Sequence, residues 1–371
     1  MKLNATYIKI RDKWWGLPLF LPSLILPIFA HINTFAHISS GEVFLFYLPL
    51  ALMISMMMFF SWAALPGIAL GIFVRKYAEL GFYETLSLTA NFIIIIILCW
   101  GGYRVFTPRR NNVSHGDSRL ISQRLFWQIV FPATLFLILF QFAAFVGLLA
   151  SRENLVGVMP FNLGTLINYQ ALLVGNLIGV PLCYFIIRVV RNPFYLRSYY
   201  SQLKQQVDAK VTKKEFAIWL LALGALLLLL CMPLNEKSTI FSTNYTLSLL
   251  LPLMMWGAMR YGYKLISLLW AVVLMISIHS YQNYIPIYPG YTTQLTITSS
   301  SYLVFSFIVN YMAVLATRQR AVVRRIQRLA YVDPVVHLPN VRALNRALRD
   351  APWSALCYLR IPGMEMLVKN Y

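Results

Sequence analysis

The sequence predicts an all-α polytopic membrane helix bundle of about ten spans, followed by a short incomplete α/β fragment. Composition is the first observation behind this prediction: the 371 residues are 59% hydrophobic and 12% charged, whereas soluble domains carry about 25% charged residues. In addition, long apolar runs recur up to residue 317, and the chain becomes polar and basic after that point. A soluble globular protein and a disordered chain are therefore excluded, because lipid is the solvent that accepts so much apolar surface.

The candidate spans are apolar runs near the length of a transmembrane helix, which needs about 17–25 residues. The run 62–74 is the shortest of them. Prolines inside several runs remove backbone hydrogen bonds and predict kinks, which packed neighbours tolerate in a membrane. In order, the runs cover 17–36, 43–60, 62–74, 83–100, 125–150, 160–187, 216–232, 244–259, 265–281 and 300–317.

The formal charge of +20 arises from 32 Lys and Arg against 12 Asp and Glu. In a soluble protein this excess would indicate nucleic acid, but here an enrichment of Lys and Arg in cytoplasmic loops explains it. If residues 43–74 formed a single crossing, the basic loop 103–124 would face outward, against the enrichment of Lys and Arg on the cytoplasmic side. Ten spans are therefore preferred, and eight are the fallback. The lipid bilayer is thus the expected partner and nucleic acid is not. Ten spans with cytoplasmic termini leave four cations outside: Arg75, Lys76, Arg152 and Lys237.

Amide side chains within the apolar runs form a candidate signal pocket. Polar groups in lipid must find partners, so we expect these side chains to face the interior of the bundle. Hydrogen bonds between helices are the simpler role, and a pocket for an unknown small signal is the alternative. The pair Gly175 and Gly179 predicts a close helix approach on the same span. The five amides are Asn91, Gln141, Asn168, Gln170 and Asn176.

A candidate coupling helix follows the last apolar run. Leu315, Val322 and Leu329 fall at seven-residue steps, and Ile326 lies four residues after Val322. Such a seam predicts pairing of two chains as a homodimer through residues 315–330. The simpler interpretation is a basic anchor for the last span, because five arginines lie between residues 318 and 328.

Signals of catalysis and of metal binding are weak throughout the chain. No glycine-rich phosphate loop, nucleophile elbow or paired-carboxylate site is present, and none of the four cysteines forms a C-x-x-C pair. His31, His37 and His279 lie near outer ends of spans, but the six-residue step between His31 and His37 does not align ligands on one helix face. We therefore expect no catalytic residue, cofactor site or metal site in this chain.

The polar tail predicts the beginning of an α/β domain. Pro339 and Asn340 precede a helix whose apolar positions, Val341, Leu344 and Leu348, fit helical spacing. A short apolar run at 355–359 then predicts a strand. Such a fragment lacks the partners that would cover its apolar face, so an irregular amphipathic tail is the alternative.

A motif within this tail resembles a known family. Asp333, Leu338, Pro339, Asn340 and Arg342 match D-x-x-x-x-L-P-N-x-R, which is similar to the opening motif of GGDEF domains. Active members of that family make cyclic-di-GMP. The resemblance implies that an α/β domain begins here.

The next part of the tail departs from the GGDEF pattern. Arg360 stands where the family has a metal-binding Asp, Val368 where it has a guanine-binding Asn, and Glu365 where it has Lys. A cation repels Mg²⁺, which prefers oxygen ligands. The resemblance therefore implies a degenerate domain without cyclase activity. The sequence reaches Tyr371 before a GG[DE]EF signature, so we expect the domain to be truncated.

Three segments of the membrane part resemble MASE-type bacterial sensor domains. Residues 62–71 are similar to their W-x-x-x-G-I-A-L segment, residues 174–181 to G-D-x-x-G…P with Asn176 in place of Asp, and residues 251–262 to L-P-x-x-x-W-x-A-x-R-x-G. These matches occur in the order of the family, ahead of the GGDEF-like motif. Together they imply a MASE–GGDEF–EAL cyclic-di-GMP phosphodiesterase of the bacterial inner membrane.

The resemblance also implies how the chain is divided. Residues 1–317 would be the integral membrane sensor, 318–332 a basic juxtamembrane helix, and 333–371 the degenerate GGDEF start. Catalysis and its Mg²⁺ or Mn²⁺ ions would belong to an EAL domain outside this chain. A multi-span transporter or channel-like protein is the alternative. It would explain ten spans but not the GGDEF-like motif. The absence of Asp and Glu from the centres of the runs also argues against an ion-coupled carrier.

Overall fold

The computed structural model describes residues 13–38, 41–106, 121–147, 162–208, 211–232, 243–285, 290–331 and 339–350. The regular elements of these residues are helices and one two-stranded antiparallel hairpin. The elements are α1 (Leu17–His31), β1 (Thr34–Ile38), β2 (Gly41–Phe46), α2 (Pro49–Phe60), α3 (Leu65–Leu80), α4 (Phe82–Phe106), α5 (Ile121–Gln128), α6 (Phe136–Phe145), α7 (Leu163–Arg191), α8 (Tyr195–Gln206), α9 (Lys213–Cys231), α10 (Thr243–Tyr261), α11 (Tyr263–His279), α12 (Tyr291–Tyr331) and α13 (Val341–Asp350).

Six helical stretches among the described residues are long and apolar enough to cross a membrane. They are Pro49–Leu80, Phe82–Phe106, Phe126–Phe145, Leu163–Arg191, Lys213–Cys231 and Tyr291–Ile326. Two shorter apolar helices, α1 and α11, accompany them. The predicted helical membrane bundle is thereby confirmed, whereas the count of ten spans stays a prediction.

The stretch Pro49–Leu80 is two helices separated by a sharp turn. Ser61 has φ of 52°, a left-handed conformation that non-glycine residues rarely adopt. A 3₁₀ turn over Ser61–Ala64 follows, and α3 begins at Leu65 with Pro66 in its first turn, where proline fits without loss of a hydrogen bond. The chain therefore bends between the two apolar runs that the sequence separates at residue 61.

The hairpin β1–β2 was not predicted. The apolar runs 17–36 and 43–60 suggested continuous helices, but α1 ends at His31 and α2 begins only at Pro49. Phe35 pairs with Phe44 across the strands, and their ring centroids lie 4.5 Å apart. Hydropathy alone missed this element because a hydrophobic strand and a hydrophobic helix score alike. Alternation appears along Thr34–Ile38 in the burial of the side chains rather than in their hydropathy.

Glycines bring two pairs of helices into close contact. In α3, a Cβ atom on Gly67 would overlap the carbonyl oxygen of Pro18, and one on Gly71 would lie 3.0 Å from that of Pro22. In α7, a Cβ atom on Gly175 would overlap the carbonyl oxygen of Tyr47. The close approach predicted at Gly175 and Gly179 is confirmed, and its partner is α2 with the residues before it.

Pro132 lies in a segment of π-helix, Ile129–Leu135, between α5 and α6. Proline cannot donate the regular hydrogen bond, so the backbone widens by one residue around it. The hydroxyl of Thr134 donates to the carbonyl oxygen of Ile129 at 3.1 Å. The irregularity predicted from the proline is thus a local widening of the helix.

Contacts divide the chain into two units, Met1–Arg318 and Gln319–Tyr371. In the second unit, Asn340 caps α13: its Oδ1 accepts hydrogen bonds from the backbone N–H groups of Arg342 (3.0 Å) and Ala343 (3.1 Å). Its Nδ2 donates to the carbonyl oxygen of Ala330 at 2.8 Å. The predicted cap is therefore confirmed. The strand predicted at 355–359 lies outside the described residues.

Candidate functional site

Asn168 joins α7 to the hairpin. Its side chain is 2% exposed, and its Oδ1 accepts a hydrogen bond from the backbone N–H of Phe44 at 2.8 Å. Because a buried N–H without an acceptor is unfavourable, this contact fixes β2 against α7. Asn168 thus acts as a structural link in this arrangement.

Gln170 and Asn176 lie on the same helix and make different contacts. The Nε2 of Gln170 donates to the hydroxyl of Ser300 on α12 at 2.7 Å. The Nδ2 of Asn176 donates to the carbonyl oxygen of Leu172, one turn earlier in α7, at 2.9 Å. The Oε1 of Gln170 and the Oδ1 of Asn176 are buried and have no hydrogen-bond partner among the described atoms.

The remaining two amides lie on other helices. Asn91 in α4 donates to the carbonyl oxygen of Ser87 on its own helix at 3.0 Å. Gln141 lies in α6, and its Nε2 is buried without a hydrogen-bond partner among the described atoms. Asn168, Gln170 and Asn176 are therefore the members of the predicted set that one helix brings together. None of the five lines the cavity found beside the hairpin.

A second group of residues, which we call the output junction, connects the start of α11 with the last helix of the membrane unit. The hydroxyl of Thr317 accepts a hydrogen bond from the backbone N–H of Tyr263 at 2.9 Å and donates to the carbonyl oxygen of Ala313 at 2.7 Å. Tyr263 directly follows Gly262, whose φ of 80° makes the turn from α10 into α11. Any movement of Thr317 therefore alters a hydrogen bond to the α10–α11 turn.

Helix α8 completes the output junction. The Oε1 of Gln206 accepts from the backbone N–H of Lys264 at 3.1 Å, and the Lys264 ammonium donates to the Oε1 of Gln202. The phenol of Tyr199 donates to the carbonyl oxygen of Lys264 at 2.9 Å, and burial raises its pKa above the ordinary value. Sequence reasoning missed this site, although Tyr195, Tyr199 and Leu203 recur at four-residue steps, which is typical of an amphipathic helix.

An ion-pair cluster lies next to the output junction. Arg260 at the end of α10 contacts Asp208 (Nη1 to Oδ2, 3.2 Å) and Glu215 (Nε to Oε1, 3.8 Å). The backbone N–H of Asp208 also donates to the carbonyl oxygen of Arg260 at 3.0 Å. These contacts connect the segment between α8 and α9 to the same turn. Two amphipathic or polar segments thus converge where α12 leaves the membrane unit.

The described residues of the predicted coupling seam are exposed. Leu315 is 47% exposed, Val322 56% and Ile326 59%. Leu329 lies within α12, and its side chain is outside the described part. An apolar side chain that is exposed beyond the membrane unit is available to a second helix.

Metal-binding residues do not cluster in the described ranges. No group of three or more His, Cys, Asp or Glu in these ranges lies close enough to hold a metal ion. His37 contacts Glu42 across the hairpin (Nδ1 to Oε1, 3.4 Å), and its side chain is 78% exposed. This is a surface pair of one histidine and one carboxylate.

Comparison with known protein families matches residues 15–320 to MASE1. The chain belongs to the MASE1 family. The match covers α1 to α12 as far as residue 320, two residues beyond the boundary between the two structural units. The output junction therefore lies within the MASE1 region, and Thr317 lies near the end of that region.

Two curated proteins of Escherichia coli strain K12 are similar to this MASE1 chain. It is 99% identical over 371 residues to "Cyclic di-GMP phosphodiesterase PdeF", covering 100% of the chain and 50% of that protein. It is 25% identical over 369 residues to "Probable cyclic di-GMP phosphodiesterase PdeA", covering 97% of the chain and 49% of that protein. The chain thus spans about half the length of the curated relatives it matches. No solved structure matches the chain.

Proposed function

We propose that this chain is the sensory membrane half of a cyclic-di-GMP phosphodiesterase of the bacterial inner membrane. The relatives at 99% and 25% identity carry that activity in their names, and the GGDEF-like motif follows the MASE1 region directly. The catalytic residues and the Mg²⁺ or Mn²⁺ ions of such an enzyme would belong to an EAL domain outside these 371 residues. This chain contributes the control of that domain.

The observation that carries the proposal is the output junction. Thr317, at the last position before the basic segment, is hydrogen-bonded to the α10–α11 turn. The two-state element that we propose is α12: a stimulus in the bundle shifts it, the Thr317 contact breaks or forms, and residues 318–332 reposition the cytoplasmic domains. A ligand or stimulus shifts an equilibrium between two states only if some contacts differ between those states. The hydrogen bond between Thr317 and the Tyr263 N–H is one such contact in this proposal.

Ten membrane crossings with both termini cytoplasmic are part of the proposal. Helices α1 and α3 run in the same direction, because Gly67 lies against Pro18 and Gly71 against Pro22. If both cross the bilayer in the same direction, α2 must cross in the opposite direction between them. The 12 residues of α2 rise about 18 Å. The six extended residues of β2, which precede α2, add about 20 Å. Together the two elements are long enough to cross the hydrocarbon core of a bilayer, which is about 30 Å thick.

Contacts between later helices support the same alternation. Trp62, in the turn between α2 and α3, packs on Trp100 near the end of α4, with ring centroids 4.8 Å apart. Trp219 near the start of α9 donates to the carbonyl oxygen of Leu253 in the second half of α10 at 2.9 Å. Both contacts fit antiparallel neighbours. The ten crossings would be α1, α2, α3, α4, α5 with α6, α7, α9, α10, α11 and α12.

We also propose that two chains pair along α12 through residues 315–330. The exposure of Val322 and Ile326 supports this pairing, because their apolar surface is not covered within the chain. Paired helices would transmit a movement of α12 to two cytoplasmic domains at once.

The proposal is tested in cells that make the natural full-length protein and lack other cyclic-di-GMP phosphodiesterases. Thr317→Val keeps the shape of the side chain and removes the acceptor for the Tyr263 N–H. We expect a change in cellular cyclic-di-GMP of several-fold with unchanged protein abundance. Ser301→Ala is the matched control, because the Ser301 hydroxyl is exposed and bonds only within α12 in this structure. Equal cyclic-di-GMP in all three strains would contradict the proposed output junction.

The transporter alternative predicts a different result. Membrane vesicles that contain the chain would then take up a solute against its gradient, and Thr317→Val would alter uptake without altering cyclic-di-GMP. Uptake by such vesicles, together with unchanged cyclic-di-GMP in cells from which the full-length protein has been deleted, would overturn the sensory assignment.

A further inference from the structure

A cavity lies beside the hairpin, between α1, α2, α3 and α4. Its volume is about 90 Å³, on the measure by which one water molecule needs about 10–15 Å³, so it has room for a small molecule. We call it the hairpin cavity. Most of its wall is apolar, and this wall includes Leu26, Phe35, Phe44, Met53, Ile72 and Phe92.

Two cations, Arg75 and Lys76, are the charged residues that line the hairpin cavity. Both contact the same carboxylate, Glu79: Arg75 through Nη1, and Lys76 through Nζ at 3.0 Å. The formal charges of these three side chains sum to +1. A low-dielectric wall around this charge strengthens its attraction for an anion.

Arg75 also has an unused donor. Its Nε is buried and has no hydrogen-bond partner among the described atoms, while its Nη1 is taken up by Glu79. A buried donor without an acceptor is unfavourable, and the guanidinium group as a whole pairs well with carboxylates. Of the four cations that the ten-span topology leaves outside, these two lie together at the cavity. The positive-inside rule gives no reason for such a pair on that side.

We propose that the hairpin cavity binds a small amphipathic anion, with its head against Arg75 and its apolar body against the aromatic wall. The ring pair Phe35 and Phe44 (4.5 Å between centroids) and the neighbouring Tyr47 (5.1 Å from Phe44) form a face that suits an aromatic or short aliphatic body. The head is a single carboxylate or phosphate group. It could come from a free organic acid or from an anionic lipid.

The site would couple to the rest of the bundle through contacts already described. Phe44 on the cavity wall is held by Asn168 of α7, whose neighbour Gln170 contacts Ser300 of α12. This inference rests on the proposed function in one respect: only if the chain is a sensor does binding at the hairpin cavity act as a signal. Binding itself can be measured without cyclic-di-GMP, so a failure of the site and a failure of the sensory assignment are distinguishable.

The test uses the purified chain in nanodiscs of phosphatidylcholine, titrated with phenylacetate and with its neutral analogue phenylacetamide. Ligand-observed NMR reports saturable binding. We expect phenylacetate to bind at least about tenfold more tightly than phenylacetamide, since the charged hydrogen bond is lost in the amide. Equal affinity of the two probes, or no saturable binding of either, would overturn the proposal.

Variants locate the binding. Arg75→Gln removes the charged donor and should weaken phenylacetate by about tenfold or more. Ala30→Phe fills the cavity without changing its charge and should abolish binding. Arg104→Gln, on α4 but absent from the cavity wall, is the control and should bind as the natural chain does. Full binding by Ala30→Phe would place the probe elsewhere and overturn the site.

A further experiment distinguishes a free organic acid from an anionic lipid as the source of the bound anion. Nanodiscs that contain phosphatidylglycerol offer an anionic headgroup to the same site. If the native occupant is a lipid, the apparent affinity for phenylacetate falls as the fraction of phosphatidylglycerol rises. If the native occupant is a free acid, the affinity stays constant; both results support an anion site at Arg75.

Discussion

Gly175 lies directly against the backbone of Tyr47, so that a Cβ atom at position 175 would overlap the Tyr47 carbonyl oxygen. One turn later, a Cβ atom on Gly179 would lie 2.8 Å from the Cβ of Ala51. The two glycines allow α7 to pack closely on the start of α2 and the residues before it, and small residues permit such close packing of helices in lipid. Backbone atoms, unlike side-chain ends, cannot move aside to admit a methyl group.

Gly175→Ala is therefore expected to destabilise the membrane unit by about 1–3 kcal/mol, the range for an overpacked core. Thermal unfolding of the purified chain in detergent measures the effect as a lower Tm. Gly224→Ala is the control, because nothing lies within 4 Å of a Cβ atom at position 224. An unchanged Tm for Gly175→Ala would contradict the contact between Gly175 and the backbone of Tyr47.

Replacement of Asn168 by leucine should lower stability, because the buried N–H of Phe44 would lose its acceptor. The expected cost is about 1–3 kcal/mol. Asn176→Leu is the matched control on the same helix: Asn176 bonds only within α7 in this structure, and its Oδ1 already has no hydrogen-bond partner among the described atoms. We expect Asn176→Leu to be close to neutral in thermal unfolding. The reverse order of the two variants would contradict the link between α7 and the hairpin.

The same pair of variants tests the candidate signal pocket. If Asn168 and Asn176 bind a signal, both replacements should abolish the response of cellular cyclic-di-GMP in the full-length protein. If they only join helices, Asn176→Leu should leave that response intact. The second outcome would leave the hairpin cavity as the candidate site for a signal.

Cysteine labelling tests the ten-span topology. In a chain whose four cysteines are changed to serine, Ser61→Cys should react with a membrane-impermeant maleimide only after the inner membrane is opened. His37→Cys, on the exposed side of the hairpin, should react in intact spheroplasts. If residues 43–74 formed a single crossing, Ser61→Cys would lie within the bilayer and stay unlabelled in both conditions.

Disulfide cross-linking tests the predicted dimer seam. Val322→Cys should form a cross-linked dimer in native membranes, because position 322 lies on the heptad seam. Val323→Cys is the matched control: it is 45% exposed, against 56% for Val322, but lies one residue off the seam. Equal cross-linking at both positions, or none at 322, would contradict a specific pairing of α12.

The sequence alone predicts the structural features that depend on only one or two neighbouring residues. The glycine pair in α7, the proline irregularity at 132 and the cap at Asn340 each follow from the chemistry of one or two residues, and each is present. The helical membrane bundle followed from composition. Such features need no knowledge of distant neighbours, which is why the sequence alone predicts them.

Features that depend on long-range partners were not predictable. The acceptor for Phe44 is 124 residues away, and Thr317 meets Tyr263 across 54 residues. The hairpin was missed because a period of two and a period of 3.6 are hard to separate in a short apolar run. Likewise, nothing in the spacing of Arg75 and Lys76 indicates the aromatic wall that faces them, since β1, β2 and α4 come from other parts of the chain.

The hydrogen bond between Phe44 of the hairpin and Asn168 of α7 has a consequence for synthesis. The ribosome adds roughly 5–20 residues per second, so the 124 residues between Phe44 and Asn168 take about 6–25 s to emerge. Throughout this interval the nascent hairpin must wait in the translocon or the lipid with the N–H of Phe44 lacking its final acceptor. The first half of the chain can therefore reach its mature arrangement only after α7 has been inserted, which makes translation of residues 163–191 the committing event of assembly.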